Sequence, residues 1–188
     1  MQEPYSWFVM YVRANTEKRV VDDIKRAFLS YGLDYEFEPF CPESEIYYRS
    51  SKAKKQGSQY RKRPLFPGYI FIETNMPSKE FLRSFSAYLY NSSDIIRVLN
   101  QGASGEIALP LAERQRLEYL LKGKRCIERS VGYIVGDKVR IEAGALVGSE
   151  GLITYIDRHN RFAVIEVDMF GSKAKAHVAL EIIGKKDE

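Results

Sequence analysis

Cysteine is scarce in this sequence, with only Cys41 and Cys126 among 188 residues. The two are far apart and lack both CxxC spacing and a nearby histidine. That argues against a disulfide framework or a zinc set and predicts two free thiols in a reducing compartment. Histidine is equally sparse: His159 and His177 are the only two, and neither has the Ser, Cys or carboxylate constellation that nucleophilic or acid–base catalysis requires. A glycine-rich phosphate loop is also missing. The expectation is therefore a protein that is not an enzyme and has no cofactor and no metal. No apolar run approaches the roughly 20 residues of a membrane span, and the opening MQEPYSWFVM lacks a basic leader. A cytoplasmic monomer without membrane contact is expected.

What the sequence does have is a core's worth of apolar residues, 45% of the chain, and a formal charge of +4 that is unevenly spread. Residues 1–130 carry about +5 and residues 131–188 about −1. Seven of the cations fall within residues 49–63, RSSKAKKQGSQYRKR, with no acid among them. Such a segment reads as a loop with a local field suited to phosphate backbones.

The first 122 residues mix helical and strand periodicity. SWFVMYV has high β-propensity, and Asn15 or Thr16 then offers an N-cap. Val20, Ile24, Ala27, Phe28 and Tyr31 recur at helical spacing up to Gly32. YEFEPFCPESEIYY is an irregular or edge strand because of Pro39 and Pro42. LFPGYIFIE is a strand, Pro77 starts a helix with Phe81, Leu82, Phe85, Tyr88 and Leu89 on one face, DIIRVL is a strand, and PLAERQRLEYLLKGK buries Leu117, Leu120 and Leu121. The order βαββαβα predicts an α+β fold, an antiparallel sheet flanked by helices.

After residue 122 the pattern changes. Residues 123–131 read as a linker, and residues 132–188 hold only short strands: KVRI, EGLITYID, RFAVIEV and AKAHVALEII. These make a small β-barrel. In the last strand Ala174, Ala176, Val178, Leu180 and Ile182 share one face, while Lys173, Lys175 and His177 share the other and Arg140 is a candidate to join them.

These segments, WFVMYV with EKRV, then LFPGYIFIE, then VGDKVRIEAGALVGSEGLITYID and RFAVIEVDMFG, resemble the NusG family of transcription elongation factors over nearly the whole chain. The resemblance implies an NGN-type domain (1–122), a linker (123–131) and a KOW-type barrel (132–188). It also implies docking on the clamp helices of RNA polymerase, suppression of pausing or termination, and a barrel that recruits a second partner. Phe66 and Tyr69 match the family's docking aromatics, and Trp7 and Tyr11 lie on the strand expected beside them. Phe66, ahead of Pro67 and Gly68, is expected to stay exposed. The usual Gly-Pro of the barrel's first loop is Gly144-Ala145 here, and the usual Arg after Phe-Gly is Ser172, so the termination-factor and ribosomal-protein partners of the family are open to question. IDRHNRFAVIEVDMFG and ALEII resemble the LoaP-type antiterminators, which implies processive antitermination and an RNA element in the leader transcript.

Nucleic-acid contact is assigned to two places. Lys54, Lys55, Arg61, Lys62 and Arg63 of the basic loop would meet DNA near the transcription bubble or nascent RNA. Lys173, Lys175, His177 and Arg140, with Arg158, His159 and Arg161 of the DRHNR turn, would meet RNA such as a leader hairpin. Two other readings are a housekeeping NusG-type factor and a KOW-based, ribosome-associated translation factor.

Overall fold

The computed structural model describes residues 5–32, 35–48 and 59–186. The chain divides into two compact units that interleave in sequence. The first is Met1–Cys41, Pro67–Gln115 and Met169–Ser172; the second is Pro42–Phe66, Arg116–Asp168 and Lys173–Glu188.

In the first unit, β1 (Ser6–Val12), β2 (Phe37–Phe40), β5 (Tyr69–Thr74) and β6 (Ile95–Val98) form a sheet in the order β2-β5-β1-β6. Its pairings are antiparallel, with Phe8 opposite Ile72 and Tyr11 opposite Tyr69. Helices α1 (Glu17–Tyr31) and α2 (Ser78–Asn91) follow β1 and β5. The sequence sets their limits. Gly32 ends α1 with φ of +60°, and Pro77 sits at the N-cap of α2, where its missing N–H costs nothing. The core gathers Phe8, Met10 and Val12 of β1, Ile70 and Ile72 of β5, Val20, Val21 and Ile24 of α1, and Phe81 and Phe85 of α2. Phe28 and Phe37 stack at 4.1 Å, and Phe37 stacks on Phe85 at 5.3 Å, which extends the core along the helix faces. Phe28, Tyr88 and Leu89 are only partly buried. Leu82, expected on the same face, is exposed.

Several elements differ from expectation. The irregular strand is two strands, β2 and β3 (Glu43–Tyr47), broken at Cys41–Pro42. Arg61–Arg63 are not loop residues but lie in β4 (Tyr60–Pro64), which pairs with β3. Within the expected linker, Cys126–Ile127 form β7, parallel to β3, with Glu43 opposite Cys126. The resulting sheet, β4-β3-β7, belongs to the second unit.

The second unit also carries a five-stranded sheet in the order β10-β11-β12-β8-β9. Its strands are β8 (Ser130–Val135), β9 (Lys138–Ala143), β10 (Ile153–Asp157), β11 (Phe162–Met169) and β12 (Ser172–Lys186). β8, which was not expected as a strand and whose first two residues fall in the expected linker, pairs parallel with β12 and antiparallel with β9. Helix α3 (Leu111–Leu121) ends in this unit with Leu117, Leu120 and Leu121 all buried, as its spacing predicts. Its Tyr119 hydroxyl donates to the Val147 carbonyl at 3.0 Å and Lys122 Nζ, just beyond it, to the Gly144 carbonyl at 2.8 Å. Gly144 itself admits no side chain. With φ of +104°, a Cβ there would sit 2.4 Å from the Arg129 carbonyl oxygen. Its neighbour Ala145 is buried, whereas Ser172 is exposed.

Candidate functional site

Both faces of the first sheet are apolar around β1 and β5. Phe8, Met10, Ile70 and Ile72 face the helices, and the alternate residues Trp7, Tyr11, Tyr69 and Phe71 occupy the opposite face. Trp7 and Phe71 approach at 5.8 Å, and Trp7 meets Phe40 edge-on at 5.2 Å. Trp7, Phe71 and Phe40 are buried. The Trp7 indole N–H is satisfied by Glu73, to which it donates at 2.6 Å. Tyr11 and Tyr69, at the other end of the same strands, are only half-buried, with ring centroids 5.2 Å apart.

This arrangement redistributes the expected docking aromatics. Phe66 is not exposed at a strand entrance: it keeps 3% of its surface, and β5 begins only at Tyr69. Trp7 is buried as well. Of the four aromatics singled out from sequence, Tyr11 and Tyr69 are the accessible pair.

The expected basic row on β12 exists but is not a bare cationic strip. Lys173 Nζ lies 2.6 Å from Asp168, and Lys175 Nζ lies 3.5 Å from Glu166, both carboxylates on the adjacent strand β11. Asp168 also bonds Arg116, and these two cations, Lys173 foremost, hold its carboxyl below the usual carboxylate range. The signal for these partners was present in the sequence. Folding VDMFGSK about Phe170–Gly171, both at positive φ, brings residue 168 opposite 173 and 166 opposite 175.

His177 accepts from Arg63 instead: the guanidinium lies 2.8 Å from Nδ1, which fixes that nitrogen as the unprotonated one. Burial first, and then the Arg63 charge, pull the His177 pKa below its ordinary value. Burial likewise lowers that of Arg63. The His177 ring also meets Phe162 at 5.1 Å, and its carbonyl accepts from the buried Ser44 hydroxyl at 2.8 Å. Residues of the two proposed nucleic-acid groups, Arg63 of β4 and His177 of β12, thus come together. Arg140 does not join them. It pairs with Tyr133, which is level with Gly184, seven residues along β12 from His177 or roughly 23 Å at strand rise.

The DRHNR turn is more tied down than a solvated hairpin tip. Asp157 accepts the Asn160 backbone and side-chain N–H groups, both at 2.8 Å, and these bonds lower its pKa. The left-handed residue of the turn is Arg161. Arg161 lies 3.0 Å from Glu181 and 4.6 Å over the Tyr47 ring. Arg158 and His159 are exposed. Arg61 covers the Tyr48 ring at 4.2 Å, and Arg129 covers Tyr60 at 5.1 Å. Lys62 is exposed opposite Glu45. Lys54 and Lys55 lie outside the described residues.

Among the described residues, no group of three or more His, Cys, Asp or Glu is arranged to hold a metal, and no helix is long and apolar enough to cross a membrane. Burial raises the pKa of the Cys126 thiol, keeping it in its unreactive form.

Comparison with known proteins gives this geometry a family. Residues 5–118 match the family model NusG, described as transcription termination factor nusG. Among curated relatives, the chain is similar to proteins named transcription termination/antitermination protein NusG. That of Borreliella burgdorferi is 22% identical over 96% of this chain and 98% of its own, that of Lactococcus lactis is 28% identical over 88% and 84%, and that of Thermus thermophilus is 23% identical over 88% and 90%. Its fold is similar to the solved structure described as "Domain interaction in Thermotoga maritima NusG", with a TM-score of 0.51, 18% identity, and coverage of 95% of this chain and 94% of that one. With more than half of its residues matched by the family model, the chain belongs to the NusG family of transcription termination/antitermination factors.

Proposed function

We propose that this factor binds RNA polymerase through the Tyr11–Tyr69 face of its first unit, at the clamp helices, and suppresses pausing or termination. The observation that carries this reading is the half-buried tyrosine pair at the end of an otherwise dry sheet face. Tyrosine is enriched among interface anchors because its ring is large, rigid and amphipathic. In full-length protein, Tyr11→Ala combined with Tyr69→Ala should weaken binding to core polymerase by at least about tenfold while the thermal transition stays cooperative. Unchanged affinity would remove the face from the docking role, and Phe66 with it, since Phe66 is too buried to substitute.

In this reading the chain is an NGN-type domain followed by a KOW-type barrel, and the barrel recruits RNA or a protein partner. Lys173, Lys175, His177, Arg61, Lys62, Arg63, Arg158, His159 and Arg161 carry the contact with nascent or leader RNA, or with DNA near the bubble, in a cytoplasmic factor of the processive LoaP kind. A second reading, the general factor serving most transcripts through ribosomal or termination proteins, is favoured by the shared name of the curated relatives. Sequencing RNA crosslinked to the protein in its own cell separates the two. One enriched leader supports the specialised factor, and a transcriptome-wide spread supports the general one.

A further inference from the structure

Glu17 is a carboxylate in an unusual place. Its neighbours Lys18 and Arg19 are exposed, yet Glu17, the first residue of α1, keeps only 3% of its surface. A buried carboxylate persists only where something bonds to it. Here Oε1 accepts the backbone N–H of Gly68 at 2.7 Å, with the positive end of the helix dipole beside it.

Gly68 is the pivot of the turn into β5. Its carbonyl accepts the Val12 N–H at 2.7 Å, its φ is +84°, and a Cβ there would stand 3.0 Å from the Tyr11 ring and 3.1 Å from the Val12 carbonyl oxygen. The amide that Glu17 holds therefore belongs to the residue whose backbone lies against Tyr11 and which immediately precedes Tyr69. These two tyrosines are register partners. One buried carboxylate thus bonds the turn that adjoins both rings.

We infer that Glu17 is the positioning residue of the Tyr11–Tyr69 pair, setting the two rings before a partner arrives; this rests on the reading of that pair as the polymerase contact. Rings ordered in the free protein lose less freedom on docking, so a loosened turn weakens binding without removing any contacting atom. Losing the acceptor leaves a buried N–H unpaired, which favours another turn conformation.

The test uses the full chain as Glu17→Ala, Glu17→Gln, Ile24→Val and the tyrosine double variant. It reads core-polymerase affinity together with hydrogen exchange at the Gly68 amide. Glu17→Ala should bind about tenfold more weakly and exchange Gly68 faster. Glu17→Gln keeps a carbonyl acceptor and should stay within about threefold. Ile24→Val, which loosens the same helix elsewhere, should lower stability yet leave affinity and Gly68 protection intact. If Glu17→Ala does not fold, Glu17→Asp, one methylene shorter, takes its place. The inference is overturned if Gly68 protection is unchanged in the Ala variant, or if Gln fails as fully as Ala. It is also overturned if protection is lost while affinity holds and the tyrosine variant is impaired. Normal binding by the tyrosine variant would instead sink the docking reading, and Gly68 exchange alone would then decide whether Glu17 holds the turn.

Discussion

Strands β5 and β12 look alike as text, each alternating bulky apolar residues with something else, and they end in opposite surroundings. In β5 the consecutive residues Ile70, Phe71 and Ile72 are all fully buried, so both faces are dry. In β12 one face is dry at Ala176 and Val178, while the other is wet at Lys173 and Lys175. Alternation reports which side chains share a face. It does not report what lies against that face, which depends on segments distant in sequence.

The sharpest way to break this contrast is Phe71→Ala. If the face bearing Trp7 and Phe71 is truly dry, the cavity should cost about 3–5 kcal/mol in urea denaturation; a loss typical of a surface site would show that face to be wet. Next in size is Gly68→Ala, where positive φ and the approach to Tyr11 should together cost about 1–3 kcal/mol. A neutral result would mean that the turn relaxes freely.

On the β12 side the expected effects are smaller. Folding lowers the His177 pKa, so the folded state favours neutral imidazole and the unfolded chain binds the proton more readily. That contribution is present above the ordinary histidine value and is lost as pH falls through the lower, folded one. Denaturation midpoints measured below about pH 6.5 should fall less steeply for His177→Gln than for the natural protein; parallel curves would refute the assignment. Smallest of all, Lys175→Ala should move the thermal midpoint by less than about 2 °C, because the pair with Glu166 is long and exposed.

Much of the first unit was legible because its signals are local. Val20 and Ile24 at helical spacing, Gly32 as a stop and Pro77 as a start each act within a turn or two of their own position. In β5, period two puts Ile70 and Ile72 on the one face that meets the core. What escaped was set by distant chain. Cys126–Ile127 is too short to announce a strand and becomes one only because Glu43 and Ser44 offer an edge. Phe66 looked exposed because the prolines around it limit only backbone angles, while its burial is tertiary. Glu17 lies in the first turn of α1 as an acidic residue commonly does, and nothing nearby in sequence reveals that Gly68 will stand above it. The carboxylates opposite Lys173 and Lys175 could have been found by folding the hairpin on paper.

The two-residue strand β7 also sets a reach. Only Glu128 and Arg129 separate it from β8, and the three Cα-to-Cα steps from Ile127 to Ser130 span at most about 11 Å. While Cys126 and Ile127 stay paired to β3, the strand set that begins at β8 is leashed within that radius. Ser44 and Arg63, of the sheet that β7 joins, also bond His177 of β12, so the short covalent link is backed by bonds that would hold the two sheets near each other even if β7 came unpaired.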